Sequence, residues 1–241
     1  MSPLKLSTRD IAFTAVFAAL SVIVCKVIPG IPIIGGSGSI KFDAALAPVY
    51  GLVIGPYLGA LAAIIGGLVA AGGYLSILTS FSTGISAFVA GMLIHRTFSI
   101  GKKRIGGWIV ASVALSLLLA GWYITGVGQQ IPFYPIIHIL GFLITLSFRG
   151  WIAESFDNEK KWKLIIAICL ASYCGIIADH MLGNLIYITN FSGINWPPIF
   201  MSILPISIVE RGLLTVISSV IGNGLVIALR SAGLFSRKSP E

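Results

Sequence analysis

The sequence predicts an all-α membrane protein, a polytopic helical bundle of about eight membrane segments that forms one integral membrane domain over residues 1–241. Two observations predict this fold class. The chain is 56% hydrophobic and only 10% charged, whereas a soluble domain carries about a quarter charged residues. Its apolar residues come in blocks of about membrane-spanning length that short polar breaks separate, as in helical membrane proteins.

The basic residues predict the orientation of the chain rather than a nucleic-acid partner. The formal net charge is +8, but the lysines and arginines sit in short clusters between apolar blocks. Such clusters are typical of cytoplasmic loops. Lys5 and Arg9 precede the first apolar block as they would in a signal sequence, yet no small-x-small cleavage site follows at Lys26–Pro29. We therefore interpret this block as a retained first span in a multi-pass protein of the cell membrane.

The first span is predicted to run from about Asp10 to Ile28. Ser7 and Asp10 have the spacing of a capping box, which marks a helix start. Ala15 and Ala19, with Ala12 nearby, form an A-x-x-x-A pattern that allows another helix to approach closely. The alternative is that alanine is simply common in membrane helices.

A glycine-rich loop and an overlong apolar stretch follow, from Pro29 to Gly67. As a single helix, Asp43 to Ala71 would be about 43 Å long, too long for a bilayer without strong tilt. Gly55-Pro56 offers a break, since proline disfavours helix in the residue before it and starts helices well. The stretch is either one tilted helix or a hairpin that turns at this pair.

The positive-inside rule favours the hairpin. With it, both termini are cytoplasmic, and all 16 basic residues except Lys26, Lys41 and Arg211 lie on the cytoplasmic side. Without it, the basic clusters fall on opposite sides and the bias disappears. The later spans are then predicted at about Leu75–Thr97, Gly107–Gly126, Phe133–Ile152, Trp162–Ile188 and Phe200–Leu229.

Most of the remaining polar residues fall between the membrane midplane and the outer surface. Glu210 and Arg211 lie near the midplane of the last span, and Asp179 lies in the outer half of the span before it. Ionisable residues inside a bilayer are costly and usually functional. We expect a pocket that opens outward. Its predicted substrate-binding residues are Lys41, Phe42, Asp43, Asp179, His180, Asn184, Tyr187, Asn195, Trp196, Glu210 and Arg211.

Each of these residues also has a structural interpretation. Glu210 and Arg211 are neighbours on a helix and do not face each other, so each could form a structural pair with Asp179, His180 or a loop. Trp196 could be an interfacial belt residue. Acids, an arginine, amides and aromatics together suit a flavin, a pyrimidine, a purine-like base or an amino-acid derivative.

The sequence carries no common catalytic motif. It lacks H-E-x-x-H, G-x-S-x-G and P-loop patterns. The number and spacing of Cys25, Cys169 and Cys174 fit neither a disulfide framework nor a zinc site. We therefore expect a protein that is not an enzyme and has no metal or cofactor of its own. Another subunit would have to do any ATP-driven work.

The block DAALAPVYGLVIGPYLGALAAIIGG, with the alanine-bearing first helix and the glycine-rich loop, resembles the substrate-binding S components of energy-coupling factor (ECF) transporters. Those proteins often carry an aspartate that opens the second helix, then a GLLLGP-x-x-GAL turn into the third. The first hundred residues match well. The later spans match loosely: ADHMLGNLIY and the proline-containing last helix are similar in character only.

The resemblance implies a subunit that captures a vitamin-like solute at the outer face. It implies partnership with a T subunit and two cytoplasmic ATPases, and release of the solute when the complex topples the subunit in the membrane. The family's docking surface for the T subunit falls on Ala12, Ala15 and Ala19, and its substrate lid on Ile31–Phe42. Because the family usually has six helices, Gly107–Ile152 is predicted to be an added hairpin.

Two other functions remain open from the residues. A stand-alone secondary transporter or channel could relay protons or bind ions through Glu210, Asp179 and Arg211. An intramembrane enzyme could use Asp179, His180 and Glu210 as acid, base or metal ligands, but only if the three side chains converge.

Overall fold

The computed structural model describes residues 6–28, 31–32, 39–40, 42–100 and 103–235. Ten helices make up most of this described chain. In order they are α1 (Thr8–Val27), α2 (Asp43–Ile54), α3 (Pro56–Ala70), α4 (Tyr74–Ile94), α5 (Gly107–Ile124), α6 (Gly126–Gln130), α7 (Ile136–Phe148), α8 (Trp151–Phe156), α9 (Lys161–Asn190) and α10 (Trp196–Ser231). Two antiparallel ladders lie in the turns, β1 (Ile31–Pro32) with β2 (Ser39–Ile40) and β3 (Thr97–Ile100) with β4 (Lys103–Gly106).

Eight of the described helices are apolar and lie where the sequence predicts membrane segments. Five of them, α1, α4, α5, α9 and α10, are long and apolar enough to cross a membrane. The other three, α2, α3 and α7, have 12, 15 and 13 residues. At 1.5 Å per residue each is shorter than the roughly 30 Å hydrocarbon core. That these three also cross the membrane stays a prediction.

The hairpin break predicted at Gly55-Pro56 is confirmed. α2 ends at Ile54, Gly55 has φ 88°, and α3 begins with Pro56. Glycine adopts this left-handed backbone without the steric penalty of a side chain, and proline is well suited to the first turn of a helix.

Glycines also bring α2, α3 and α4 into backbone contact beside this turn. A Cβ atom on Gly59 would lie 2.6 Å from the backbone nitrogen of Gly51, and one on Gly91 would lie 2.7 Å from Cα of Pro56. A Cβ on Gly51 would collide with the carbonyl oxygen of Ala87. We call Gly51, Gly59 and Gly91 the glycine seam.

The predicted segment Phe133–Ile152 is not one helix. α7 ends at Phe148, because Arg149 has φ 37° and breaks the helical backbone. The Arg149 guanidinium lies 5.8 Å from the Trp108 ring, and its Nε donates to the Leu146 carbonyl oxygen. The chain then resumes as the short helix α8. The prediction failed here because the apolar pattern continues through a polar turn.

Both ends of the described chain lie at the same end of the bundle. The Ser7–Asp10 capping box is confirmed, and Arg9 Nη1 donates to the Leu234 carbonyl oxygen over 3.2 Å. Gly55 and His95 line a cleft of about 150 Å³ at this end. We call it the inner end, because the basic residues predict that it faces the cytoplasm. The opposite, outer end holds the starts of α2 and α4 and the end of α9.

The first turn of α2 packs into the middle of the bundle. Ala44 and Ala45 form a buried cluster with Ile176 of α9 and Leu214 of α10. Nearby, a Cβ on Gly175 of α9 would lie 2.7 Å from the carbonyl oxygen of Ser86 on α4. These close contacts pack the middle of α9 and α10 against α2 and α4. Most of the predicted binding residues lie on the outer halves of α9 and α10.

Candidate functional site

Three charged side chains meet between α9 and α10. Arg211 Nη2 lies 2.9 Å from Glu210 Oε1, and Arg211 Nη1 lies 3.8 Å from Asp179 Oδ2. All three side chains are at most 13% exposed. Glu210 and Arg211 therefore pair with each other although they are neighbours on one helix. Their side chains are long enough to meet, which corrects the sequence-based expectation. We call Asp179, Glu210 and Arg211 the charged triad.

Two histidines stack beside the charged triad. His180 follows Asp179 on α9, and its ring lies 5.1 Å from the ring of His138 on α7, with the planes 26° apart. Both residues are buried. Within the described chain, Nδ1 of His180 has no hydrogen-bond partner, and the His138 ring reaches only the backbone of Pro135. Arg211 lies close enough to interact electrostatically with both rings.

Tyr134, in the turn before α7, joins this polar region to an aromatic one. Asn184 Nδ2 donates to Tyr134 Oη over 3.2 Å. The Tyr134 ring stacks on Trp122 of α5 at 4.8 Å and meets the edge of Phe200 of α10 at 4.9 Å. Trp196, at the start of α10, packs on Phe200 at 5.6 Å. We call Trp122, Tyr134, Trp196 and Phe200 the aromatic wall.

The other predicted residues of α9 and α10 lie further out. Tyr187 is 43% exposed and stacks on Phe191. Asn195 is exposed at the N-terminus of α10. Trp196 is half-buried, and its Nε1 donates to the Phe191 carbonyl oxygen. An outer-end cleft of about 620 Å³ is lined by Gly72–Ser76 together with Asn190 and Phe191. A cleft thus opens at the outer end, but the residues that line it are not the predicted substrate-binding residues.

At the start of α2, two predicted residues have structural contacts. Phe42 packs against the buried cluster that contains Phe17 and Ala47. Asp43 is half-buried and accepts hydrogen bonds from Cys25 Sγ and the Ala44 backbone N–H. Lys41 and most of the predicted lid Ile31–Phe42 lie outside the described residues.

The structure therefore brings together five of the predicted residues. These are Asp179, His180, Asn184, Glu210 and Arg211. The sequence reasoning missed His138, Tyr134, Trp122 and Phe200. His138 carried a usable signal, because an ionisable residue in an apolar segment is itself a reason to expect a polar site. No feature of the sequence distinguishes Trp122, Tyr134 and Phe200 from the other aromatic residues in the membrane segments.

The predicted docking residues lie on an exposed face of α1. Ala12, Ala15 and Ala19 are all exposed. The opposite face of α1 packs on α3, where a Cβ on Gly66 would lie 2.8 Å from the carbonyl oxygen of Ala18. α1 thus has one face buried against the bundle and another, rich in small residues, left open.

A family model described as "ECF-type riboflavin transporter, S component" matches residues 5–146, more than half of the chain. The chain belongs to this family. It is a multi-pass membrane protein of a transporter family, which argues against an enzyme. The match begins before α1 and continues through most of α7. It therefore extends beyond the first hundred residues, on which the sequence-based resemblance mainly rests.

One relative is the uncharacterized protein MJ0923 of Methanocaldococcus jannaschii, which is 28% identical over 192 residues. The match covers 77% of this chain and 60% of that protein, so the chain spans less than two thirds of its relative's length. No solved structure matches.

The family match leaves most of the candidate site outside its bounds. Of the residues that the structure brings together, Asp179, Asn184 and Arg211, with their neighbours on α9 and α10, follow residue 146, and Trp122, Tyr134 and His138 precede it. Membership of the family therefore establishes the class of protein, and the chemistry of the site has to be argued from its own residues.

Proposed function

We propose that this protein is the substrate-binding subunit of an ECF-type importer. It captures a small, vitamin-like solute at the outer face for uptake that partner subunits drive with ATP. One observation carries the proposal: a group of polar side chains is buried within the apolar bundle of an S-component family member. This group consists of the charged triad and the His138–His180 stack.

The burial of this group supports binding rather than a purely structural role. A charged side chain in an apolar bundle costs free energy unless it is paired and hydrogen-bonded. The triad satisfies part of that requirement, but Nε of Arg211 and Nδ1 of His180 find no partner in the described chain. Buried polar atoms without partners are uncommon in folded proteins. A ligand with matching donors and acceptors would satisfy them.

The exposed face of α1 supports docking of a partner helix. Ala12, Ala15 and Ala19 follow each other at helical spacing and are exposed. Small side chains allow two helix backbones to approach closely, which is how membrane helices gain contact in lipid. We assign this face to the T subunit of the importer. The importer's ATPase subunits would hydrolyse ATP, and this chain would need no cofactor of its own.

Docking is tested by co-purification of the S component with its T subunit and ATPases. We expect Ala15→Trp or Ala19→Trp to abolish co-purification while ligand binding persists, because an indole would hold the partner backbone away. Ala120→Trp is the matched control, since Ala120 is an exposed alanine on α5. Unchanged co-purification of Ala15→Trp and Ala19→Trp would contradict the assignment.

A stand-alone secondary transporter is the second candidate. The charged triad favours it, because buried carboxylates beside an arginine can relay protons. Reconstitution into liposomes separates the two functions. Proton-coupled uptake without any ATPase would support the secondary transporter, whereas uptake that requires the T subunit, the ATPases and ATP would support the importer.

A further inference from the structure

We propose that the inner end of the helix pair α5 and α7 binds the phosphate headgroup of an anionic phospholipid. The residue that binds the phosphate is Arg149, in the turn between α7 and α8. This inference goes beyond the proposed function and does not depend on it, because it concerns the outside of the bundle rather than the solute site.

The backbone at Arg149 fixes the direction of its side chain. Its φ is 37°, and among the described residues it alone combines a positive φ with a side chain. Glycine is the usual residue in such a conformation after a helix, since a side chain is strained there. Two hydrogen bonds of 3.1 Å hold the turn, from the Arg149 backbone N–H to the Thr145 carbonyl oxygen and from Nε to that of Leu146.

The guanidinium of Arg149 stacks on one side and is open on the other. It lies 5.8 Å from the ring of Trp108, at the start of α5, and Arg149 is exposed. One turn deeper in both helices, the hydroxyls of Ser112 and Thr145 share a hydrogen bond of 2.7 Å, which keeps α5 and α7 in this register. Within the described chain, no carboxylate forms an ion pair with Arg149. A planar guanidinium held in this way suits bidentate binding of a phosphate.

Apolar side chains continue from Arg149 along the outside of both helices. The exposed apolar residues that the argument uses are Ile109, Val113 and Leu117 of α5 and Leu140, Leu143 and Phe148 of α7. Those of α5 are four residues apart and therefore share one helix face. The site thus has a cation beside apolar helix faces, with a tryptophan between them, a residue typical of the headgroup level. A phospholipid has the matching arrangement of phosphate and acyl chains.

The charge and shape of this surface favour a lipid over an acidic segment of a protein partner. Arg104 is exposed on β4, directly before α5, and adds a second basic residue at this end of the helix pair. Basic pockets between helices on the cytoplasmic side are typical binding sites for anionic headgroups. An acidic protein segment would pair with the arginines but would not cover the adjoining apolar faces. A lipid covers both.

Competition between two lipids tests the inference. The purified full chain is mixed in detergent with equal amounts of phosphatidylglycerol and phosphatidylcholine that have identical acyl chains, and native mass spectrometry counts the bound lipids. We expect a preference of about fivefold for the anionic lipid, the effect of one arginine near an anionic headgroup. Inorganic phosphate in excess should not displace it. Equal retention of the two lipids, or displacement by inorganic phosphate, would overturn the inference.

Variants separate this site from a diffuse effect of positive charge. Arg149→Gln should bring the preference close to one, and so should Arg149→Gly, which folds without backbone strain because glycine tolerates this φ. Lys161→Gln removes the same charge at an exposed lysine at the start of α9 and should leave the preference unchanged. Persistence of the preference in both Arg149 variants, or an equal loss in Lys161→Gln, would overturn the inference. So would Arg149 variants that lose only co-purification with the ATPases, since Arg149 would then bind a protein partner.

Discussion

Replacing Arg211 by methionine should destabilise the protein more than any other single change in the charged triad. The substitution keeps a long side chain but leaves Glu210 and Asp179 buried without their cation. With N–O distances of 2.9 Å and 3.8 Å, Coulomb's law at an effective dielectric constant of about 20 gives attractions of about 6 and about 4 kcal/mol. Desolvation offsets part of this, and breaking a buried pair costs about 3–5 kcal/mol in practice.

Reversible unfolding of the detergent-solubilised protein measures this cost. Arg211→Met should lower the free energy of unfolding by a few kcal/mol. Glu210→Gln should lower it much less, because Arg211 and Asp179 then remain as a balanced pair. The double variant Arg211→Met, Glu210→Gln should recover part of the loss, since only one carboxylate is left unpaired. A single variant Arg211→Met as stable as the wild type, or a double variant less stable than that single variant, would refute the electrostatic reasoning.

Two further predictions follow from the fold and the site. Gly55→Ala should lower the free energy of unfolding by about 1–2 kcal/mol, because Gly55 has φ 88° and a residue with a side chain is strained there. Gly72→Ala is the control, since a Cβ at Gly72 would meet no atom within 4 Å. An equal loss of stability in both variants would contradict this explanation. Asn184→Ala should weaken ligand binding about tenfold by removing the partner of Tyr134 Oη. Asn158→Ala, in the turn between α8 and α9 at the inner end, should leave affinity unchanged, and wild-type affinity in Asn184→Ala would mean that the ligand binds elsewhere.

Features encoded locally were predictable from the sequence. The turn at Gly55-Pro56 depends on the backbone preferences of two adjacent residues, and the charge pattern supported it independently. The Ser7–Asp10 capping box is likewise a local pattern. The end of α7 at Phe148 was not predictable in this way, because the apolar run continues on both sides of Arg149 and only the backbone conformation marks the break.

The composition of the candidate site was only half predictable. His180 and Asn184 are four residues apart on one face of a helix, so their proximity follows from helical spacing, and Asp179 directly precedes His180. The stack of His138 on His180 depends instead on how α7 packs against α9, which no spacing within either helix reveals. The same holds for the contact of Tyr134 with Asn184, two residues that are 50 positions apart. The pairing of Glu210 with Arg211 depends on side-chain conformation rather than on helix geometry.

The glycine seam has a mechanical consequence for transport. Packed helices shear past each other by small rearrangements of the side chains between them. At Gly51, Gly59 and Gly91 there are no such side chains, and the backbones of α2, α3 and α4 touch directly. Because backbones in direct contact cannot rearrange as side chains do, α2, α3 and α4 would not slide past one another and would move as one rigid body. Under the proposed function, any local opening that admits the solute would then lie between other elements of the bundle.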